Sequence, residues 1–144
     1  MLQDFLLNQG YTKTKLHLTK TNHFEMIAKI NGVKGLFILD TGASNSCVDF
    51  ETASMFKLLV KDSEIKAAGA GAIDMKTQVS NKNNISIGKW KKEKNTIVLF
   101  SLTHVNTALS NHNSKPVDGI IGADILKKGR AIIDYHKKYL YLKL

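Results

Sequence analysis

Leu36-Phe37-Ile38-Leu39-Asp40-Thr41-Gly42-Ala43-Ser44 is the stretch on which the rest of the chain hangs. Four apolar residues run unbroken into a carboxylate, a threonine and a glycine. An apolar run of that kind, ended by a turn signal, is the pattern of a strand buried on both faces. Such a strand delivers one aspartate to a tight turn at the edge of a core. A carboxylate held there is costly unless it is paired or hydrogen-bonded. Asp40 is therefore the first candidate for chemistry.

Upstream, Phe24–Ile30 alternates apolar and polar residues, and Asn31-Gly32 separates it from the apolar run. Asn-Gly between two strand-like segments predicts a hairpin, because both central turn positions need a positive φ. The hairpin leads directly into Asp40. Before it, residues 1–10 predict a short helix ended by Gly10, and residues 11–19 alternate as a strand. Residues 1–22 are thus an N-terminal helix and strand extension.

Downstream, Asp49 is placed to cap a short helix over 51–59. A run of small residues, Ala67-Ala68-Gly69-Ala70-Gly71-Ala72, lies between apolar segments. Ile85-Ser86-Ile87-Gly88, a lysine-rich turn around Trp90 and a strand over 96–102 follow. Residues 106–116 have the composition of a polar loop. After Val117-Asp118-Gly119-Ile120-Ile121-Gly122 comes a short helix near 123–126, then strands over 131–135 and 139–144 joined by a turn. Many short strands with little helix predict an all-β fold, a closed or partly open barrel of short antiparallel strands with one or two short helices. No repeat, linker or low-complexity tract divides 1–144, which is expected to be a single domain.

The chain has 144 residues, enough to bury a core without disulfides or a structural metal. Its single Cys47 excludes an intrachain disulfide framework and points to a reducing compartment, the cytoplasm. No apolar stretch reaches the length of a membrane span, so no membrane partner is expected. The net charge of +9 raises nucleic acid as a partner. Against it, the cations are scattered lysines with Arg130 as the sole arginine, and arginine makes the bidentate base contacts. The five histidines have no metal-ligand spacing, and one cysteine cannot complete a zinc site, so neither metal nor cofactor is expected.

Two motifs in fixed order carry a resemblance. Asp40-Thr41-Gly42-Ala43-Ser44 comes first and Asp118-Gly119-Ile120-Ile121-Gly122-Ala123-Asp124 comes later. Together they resemble the retropepsin-like aspartic proteases, bacterial single-domain members among them, over about residues 24–144. The resemblance implies the acid-protease fold, with Asp40 catalytic. It implies that Thr41 bonds across a dimer and that Gly42 donates its amide to the carboxylate. Ile120, Ile121 and Gly122 would support the loop from behind. Ala43 and Ser44 would line the substrate groove, and Gly69, Ala70 and Gly71 fall where the family carries its mobile flap. Viral members place an acid and an arginine where this chain has Ser44 and Ala123, so both halves of that ion pair are missing together.

Hydrolysis of an amide without a covalent intermediate needs a base for water and an acid for the leaving side. Two carboxylates about 3 Å apart cannot both ionise, and a shared proton lets them supply both roles. This chain holds one Asp-Thr-Gly, so a catalytic reading requires a homodimer with Asp40 from each copy, acting on a polypeptide. The alternatives are a peptide-binding or scaffolding domain of the same fold that has lost turnover, and a basic nucleic-acid-binding β-barrel. Asp124 and Asp134 have the positions of a helix cap and a strand end. Cys47 in its apolar setting suits a small buried hydrophobe better than a nucleophile.

Overall fold

The computed structural model describes residues 1–63 and 77–144. In chain order the elements are α1 (Leu2–Asn8), β1 (Tyr11–Lys15), β2 (His17–Leu18), β3 (Phe24–Ile30) and β4 (Val33–Leu39). Next come β5 (Cys47–Val48), a single 3-10 turn (Phe50–Thr52), β6 (Lys61–Ser63), β7 (Thr77–Ile87) and β8 (Trp90–Leu99). The chain closes with α2 (Thr103–Asn111), β9 (Gly119–Ile121), α3 (Ala123–Lys128), β10 (Ile132–Asp134) and β11 (Tyr139–Lys143).

The β3–β4 hairpin turns at Asn31 and Gly32, with φ of 51° and 82°. Its ladder runs from Ile30↔Val33 to Phe24↔Leu39. The strand order β3-β4-β9-β5-β8-β7, with β3 also pairing β7, closes six strands into a barrel. Closure removes the exposed edges that an open sheet would present. Most ladders are antiparallel, but β4 pairs β9 and β5 pairs β8 in parallel. A second sheet, β1-β11-β10, joins the N-terminal strand to the C-terminal hairpin.

The unbroken apolar character of β4 follows from this placement. Phe37 and Leu39 point into a barrel core with Met26, Phe56, Trp90 and Leu99. Ile38 faces the other way, into a second cluster with Ile120, Val98, Leu102 and Leu109. β9 behaves the same way, with Ile121 in the first cluster and Ile120 in the second. Both strands are therefore covered on two sides.

Several local expectations need correction. The segment expected as a polar loop is largely helix α2, because Val105 and Leu109, one turn apart, pack on the outer cluster. That tertiary contact outweighs the polar composition of the segment. The expected helix over 51–59 is a single 3-10 turn capped by Asp49, whose carboxylate accepts from Glu51 N at 3.1 Å. Lys57 at φ 57° ends this segment, and Leu58 drops into the barrel core. The turn expected around Trp90 lies at Gly88, whose φ is 57°. Trp90 itself starts β8 and is only 1% exposed, so it sits inside the barrel and not at a hairpin tip. Three short α-helices occur among the described residues, one more than expected.

Candidate active site

β4 ends at Leu39, and Asp40 follows with its amide donating to Ile121 O at 3.0 Å. The parallel pairing of β4 with β9 thus continues one residue past the strand. The chain then turns, with Ala43 N donating to Asp40 O at 3.2 Å. Gly42 N donates to Asp40 Oδ1 at 2.9 Å, and Oδ2 has no bonded partner among the described residues. Asp40 is half-buried, Thr41, Gly42 and Ser44 are exposed, and Ala43 is buried. One carboxylate oxygen is held and the other is presented to the surface.

Behind the turn, the loop is tied to the start of α3. Ala123 N donates to Ala43 O at 2.7 Å. A Cβ on Gly122 would lie 2.6 Å from Ala43 O, so only glycine lets the two backbones approach this closely. Gly122 N donates to Ser46 Oγ at 2.8 Å, and that hydroxyl donates onward to Asp124 Oδ1 at 2.7 Å. The same Oδ1 accepts from Ser46 N at 2.9 Å and Ile125 N at 2.8 Å. Asp124 therefore does more than begin a helix, since one carboxylate oxygen ties the Asp40 loop to α3. Asp118 works similarly at the far end of β9, with Oδ2 accepting from Leu36 N at 2.9 Å.

The structure thus brings Asp40, Thr41, Gly42 and Ala43 together with Ile120, Ile121 and Gly122. Ser44 lies exposed on the same loop. Gly69, Ala70 and Gly71 fall outside the described residues. The sequence reading missed Ser46 and the holding role of Asp124. Their signal was slight, a serine and an acid far apart in the chain, and only the antiparallel pairing of β5 with β9, Cys47↔Ile120, makes them neighbours.

Two cavities meet at Asp40. One, of about 260 Å³, has Ile38, Ile120 and α2 as its walls and His23 and His104 among its polar groups. The other, of about 200 Å³, is bordered by Phe24, Leu39, Thr41, Ile133 and Tyr135, with His23 again present. His23 directly precedes β3, and extending the Phe24↔Leu39 register by one residue sets it opposite Asp40. Its Nδ1 is bonded to Thr21 Oγ1 at 2.8 Å, and Thr21 Oγ1 to Thr19 Oγ1 at 2.7 Å. Neither histidine was singled out for this region by the sequence.

Cys47 is 2% exposed in the outer cluster, and burial, with smaller contributions from Asp124, Asp40 and Asp49, pushes its thiol far above the ordinary range. A thiol kept protonated in this way is a poor nucleophile. Among the described residues no three His, Cys, Asp or Glu side chains are placed to hold a metal ion, and no helix is long and apolar enough to cross a membrane.

A turn of this geometry, on this strand order, can be compared with known proteins. The sequence profile of the family described as aspartyl protease matches residues 26–125, from β3 into α3. The chain belongs to the aspartyl protease family. The matched span of this aspartyl protease relative includes Asp40, Ser46, Gly122 and Asp124. Among solved structures, it is similar to a retropepsin-like aspartic protease from Rickettsia conorii, with TM-score 0.59 and 20% identity. That match covers 92% of this chain and 91% of the other. It is also similar to the retroviral protease-like domain of Ddi1 from Leishmania major, with TM-score 0.55 and 18% identity, covering 90% and 88% of the two chains. At these identities the likeness establishes a retropepsin-like fold. A search of curated protein sequences finds no match.

Proposed function

We propose that the chain is an aspartic endopeptidase that works as a homodimer, with Asp40 of each copy sharing one proton across the two-fold axis. The observation that carries this is the Asp40 turn, with one carboxylate oxygen held by Gly42 N at 2.9 Å and the other without a partner among the described residues, beside two cavities. Membership in the aspartyl protease family supports it.

On this reading the ionised carboxylate takes a proton from water as the water oxygen attacks the peptide carbonyl carbon. The protonated partner gives its proton to the carbonyl oxygen, forming a neutral tetrahedral diol. Collapse breaks the C–N bond as the nitrogen receives a proton from the pair and one diol hydroxyl returns a proton to it, so that one shared proton remains for the next cycle. Gly42 N fixes the orientation of the Asp40 carboxylate through its bond to Oδ1. Ala43 and Ser44 offer backbone to an extended peptide as an added strand. Ile120, Ile121 and Gly122 support the loop. The substrate-closing role of Gly69, Ala70 and Gly71 rests on the sequence resemblance alone.

Thr41 is exposed and borders cavities that also touch Ile133 of β10. Among the described residues, β10 pairs only with β11, so its other edge is open beside Thr41. A second copy approaching there would bring the two Asp40 turns together. The single buried Cys47 suits a reducing compartment such as the cytoplasm.

The test is cleavage of a peptide library from acidic to neutral pH by the wild type and by Asp40→Asn, with sedimentation alongside. Cleavage that is lost in Asp40→Asn and that tracks the dimer fraction is the expected result. Cleavage surviving the substitution, or carried by a strict monomer, would sink the proposal. One observation favours a second reading, a peptide-binding domain without turnover. β11 is already paired on both sides within one chain, by β1 over five positions and by β10 over three, so among the described residues a partner would meet only the outer edges of those two short strands. A monomer that binds peptide without cleaving it would establish that alternative.

A further inference from the structure

His23 and Asp40 are the two residues that the cavities of about 260 Å³ and 200 Å³ have in common. A polypeptide reaching from one cavity into the other passes over both. His23 is exposed, yet its ring is held. Thr19 N donates to His23 O at 2.8 Å, closing a turn in which Asn22 takes φ 62°. Within this turn the hydroxyls of Thr19 and Thr21 form a chain that ends on the imidazole. Its direction follows from the donors present. Thr19 Oγ1 accepts from His23 N at 3.1 Å and from Thr21 N at 3.3 Å, which uses both of its lone pairs. Its own proton is left for Thr21 Oγ1 at 2.7 Å. Thr21 Oγ1 then has its proton free for His23 Nδ1 at 2.8 Å. A neutral imidazole that accepts at Nδ1 carries its proton on Nε2. That nitrogen has no bonded partner among the described residues.

We propose that Thr19 and Thr21 fix His23 as the tautomer protonated on Nε2, and that this N–H donates to a backbone carbonyl of the bound polypeptide beside Asp40. The inference rests on the reading of Asp40 as catalytic and adds to it one donor that touches substrate. Thr21 and Thr19 act through the ring and are positioning residues. His23 sits opposite Asp40 when the β3–β4 register is extended by one residue. Side chains directly opposite on paired strands have Cβ atoms about 4.5–5.5 Å apart. An extended chain advances about 3.3–3.6 Å per residue, so the carbonyl lies within about two residues of the cleaved bond. A backbone carbonyl is the acceptor that fits, because every residue of a polypeptide carries one and a single neutral donor selects no charge. His104 lines only the larger cavity, and its ring has no bonded partner among the described residues to fix a tautomer.

Nitrogen-15 NMR of the ring at neutral pH reads the tautomer with no substrate present. His23 should carry its proton on Nε2 and none on Nδ1. Thr21→Val should lose that preference, and Thr21→Ser, which restores the hydroxyl, should keep it. A peptide library is then titrated onto Asp40→Asn protein, which needs no turnover. Adding His23→Leu removes the donor and should weaken binding about three- to tenfold, by the same factor whatever the side chains of the peptide. His23→Gln, whose amide nitrogen stands in for Nε2, should recover most of the loss. A proton on Nδ1, unchanged binding in His23→Leu, or a loss confined to peptides with particular side chains would overturn the donor assignment while leaving wild-type cleavage intact. Absence of binding by every peptide would overturn it as well. A uniform His23-dependent loss of binding, with no cleavage by the protein that keeps Asp40, would overturn the peptidase reading and leave the donor standing.

Discussion

Replacing Asp124 with alanine removes an acceptor that three donors share. Ser46 N at 2.9 Å, Ser46 Oγ at 2.7 Å and Ile125 N at 2.8 Å all converge on Oδ1. A bond to a charged acceptor contributes roughly 1.5–3 kcal/mol net, and a buried donor left unpaired costs about 1–3 kcal/mol. The three do not add. The Ser46 hydroxyl can reorient, and Asp124 is half-exposed, so water reaches part of its site. The Ser46 amide has no such escape, because Ser46 is 2% exposed. The expected loss for Asp124→Ala is therefore about 2–4 kcal/mol, close to one fully stranded donor plus part of the others. Asp124→Asn keeps an oxygen at the same place and gives up only the charge, so about 1 kcal/mol should go. Urea unfolding reads both values, and the midpoint should fall by about 1–2 M for alanine with m unchanged. Peptide cleavage, if the proposed function holds, should fall in the same order, since this oxygen anchors the loop carrying Asp40. Equal stabilities for alanine and asparagine, or an alanine variant within about 0.5 kcal/mol of the wild type, would refute the claim that Oδ1 holds the loop.

Gly122→Ala pushes a Cβ to 2.6 Å from Ala43 O, a backbone atom that cannot swing aside, so a loss of about 2–4 kcal/mol is expected. Thermal unfolding measures it, and a variant as stable as the wild type would contradict the close approach. Leu109→Ala empties part of the outer cluster and should cost about 2–5 kcal/mol, far more than the same truncation in an exposed helix. A loss under about 1 kcal/mol in urea would mean that α2 is not packed there. For Cys47 the sign follows from burial, which raises the folded thiol above its unfolded value of about 8.5. Its contribution is complete below that value and is lost above it, as the unfolded chain releases a proton that the folded chain keeps. Stability should fall by about 1 kcal/mol between pH 8 and 9.5 on account of this group, and Cys47→Val should remove that part of the slope. An identical pH dependence in the two proteins would refute the assignment.

Much of the site was legible from local sequence. The apolar run into Asp40, the Asn31-Gly32 turn and the Ile120-Ile121-Gly122 segment each carry their signal within a few residues, and each lies where that signal puts it. Strand burial on two faces shows as continuous hydrophobicity, and a positive φ shows as Asn-Gly, because both are short-range properties. The N-terminal helix was equally plain, with Gly10 at φ 87° just beyond its end. Helix α2 was not. Its residues are mostly polar and its first position lacks a capping side chain, so nothing local marks it as helix. It forms because Val105 and Leu109 find an apolar surface built by β4, β8 and β9. Trp90 misled in the opposite direction, since its lysine neighbours made a buried core residue look like a turn.

By itself, then, the sequence determined that one carboxylate ends a doubly buried strand, that the chain is mostly short strands, and that a matching glycine segment follows. Those facts are written in nearest-neighbour patterns. Tertiary structure alone decided that β4 lies parallel to β9 and that β5 runs antiparallel along the other side of β9. The β5–β9 pairing set Ser46 and Asp124 within hydrogen-bonding distance across the chain, the β3–β4 register placed His23 opposite Asp40, and the outer cluster packed α2 as the wall of the cavity beside it. The physical reason is that barrel closure fixes which distant segments share an edge, and no local propensity encodes a distance between residues that far apart in the chain.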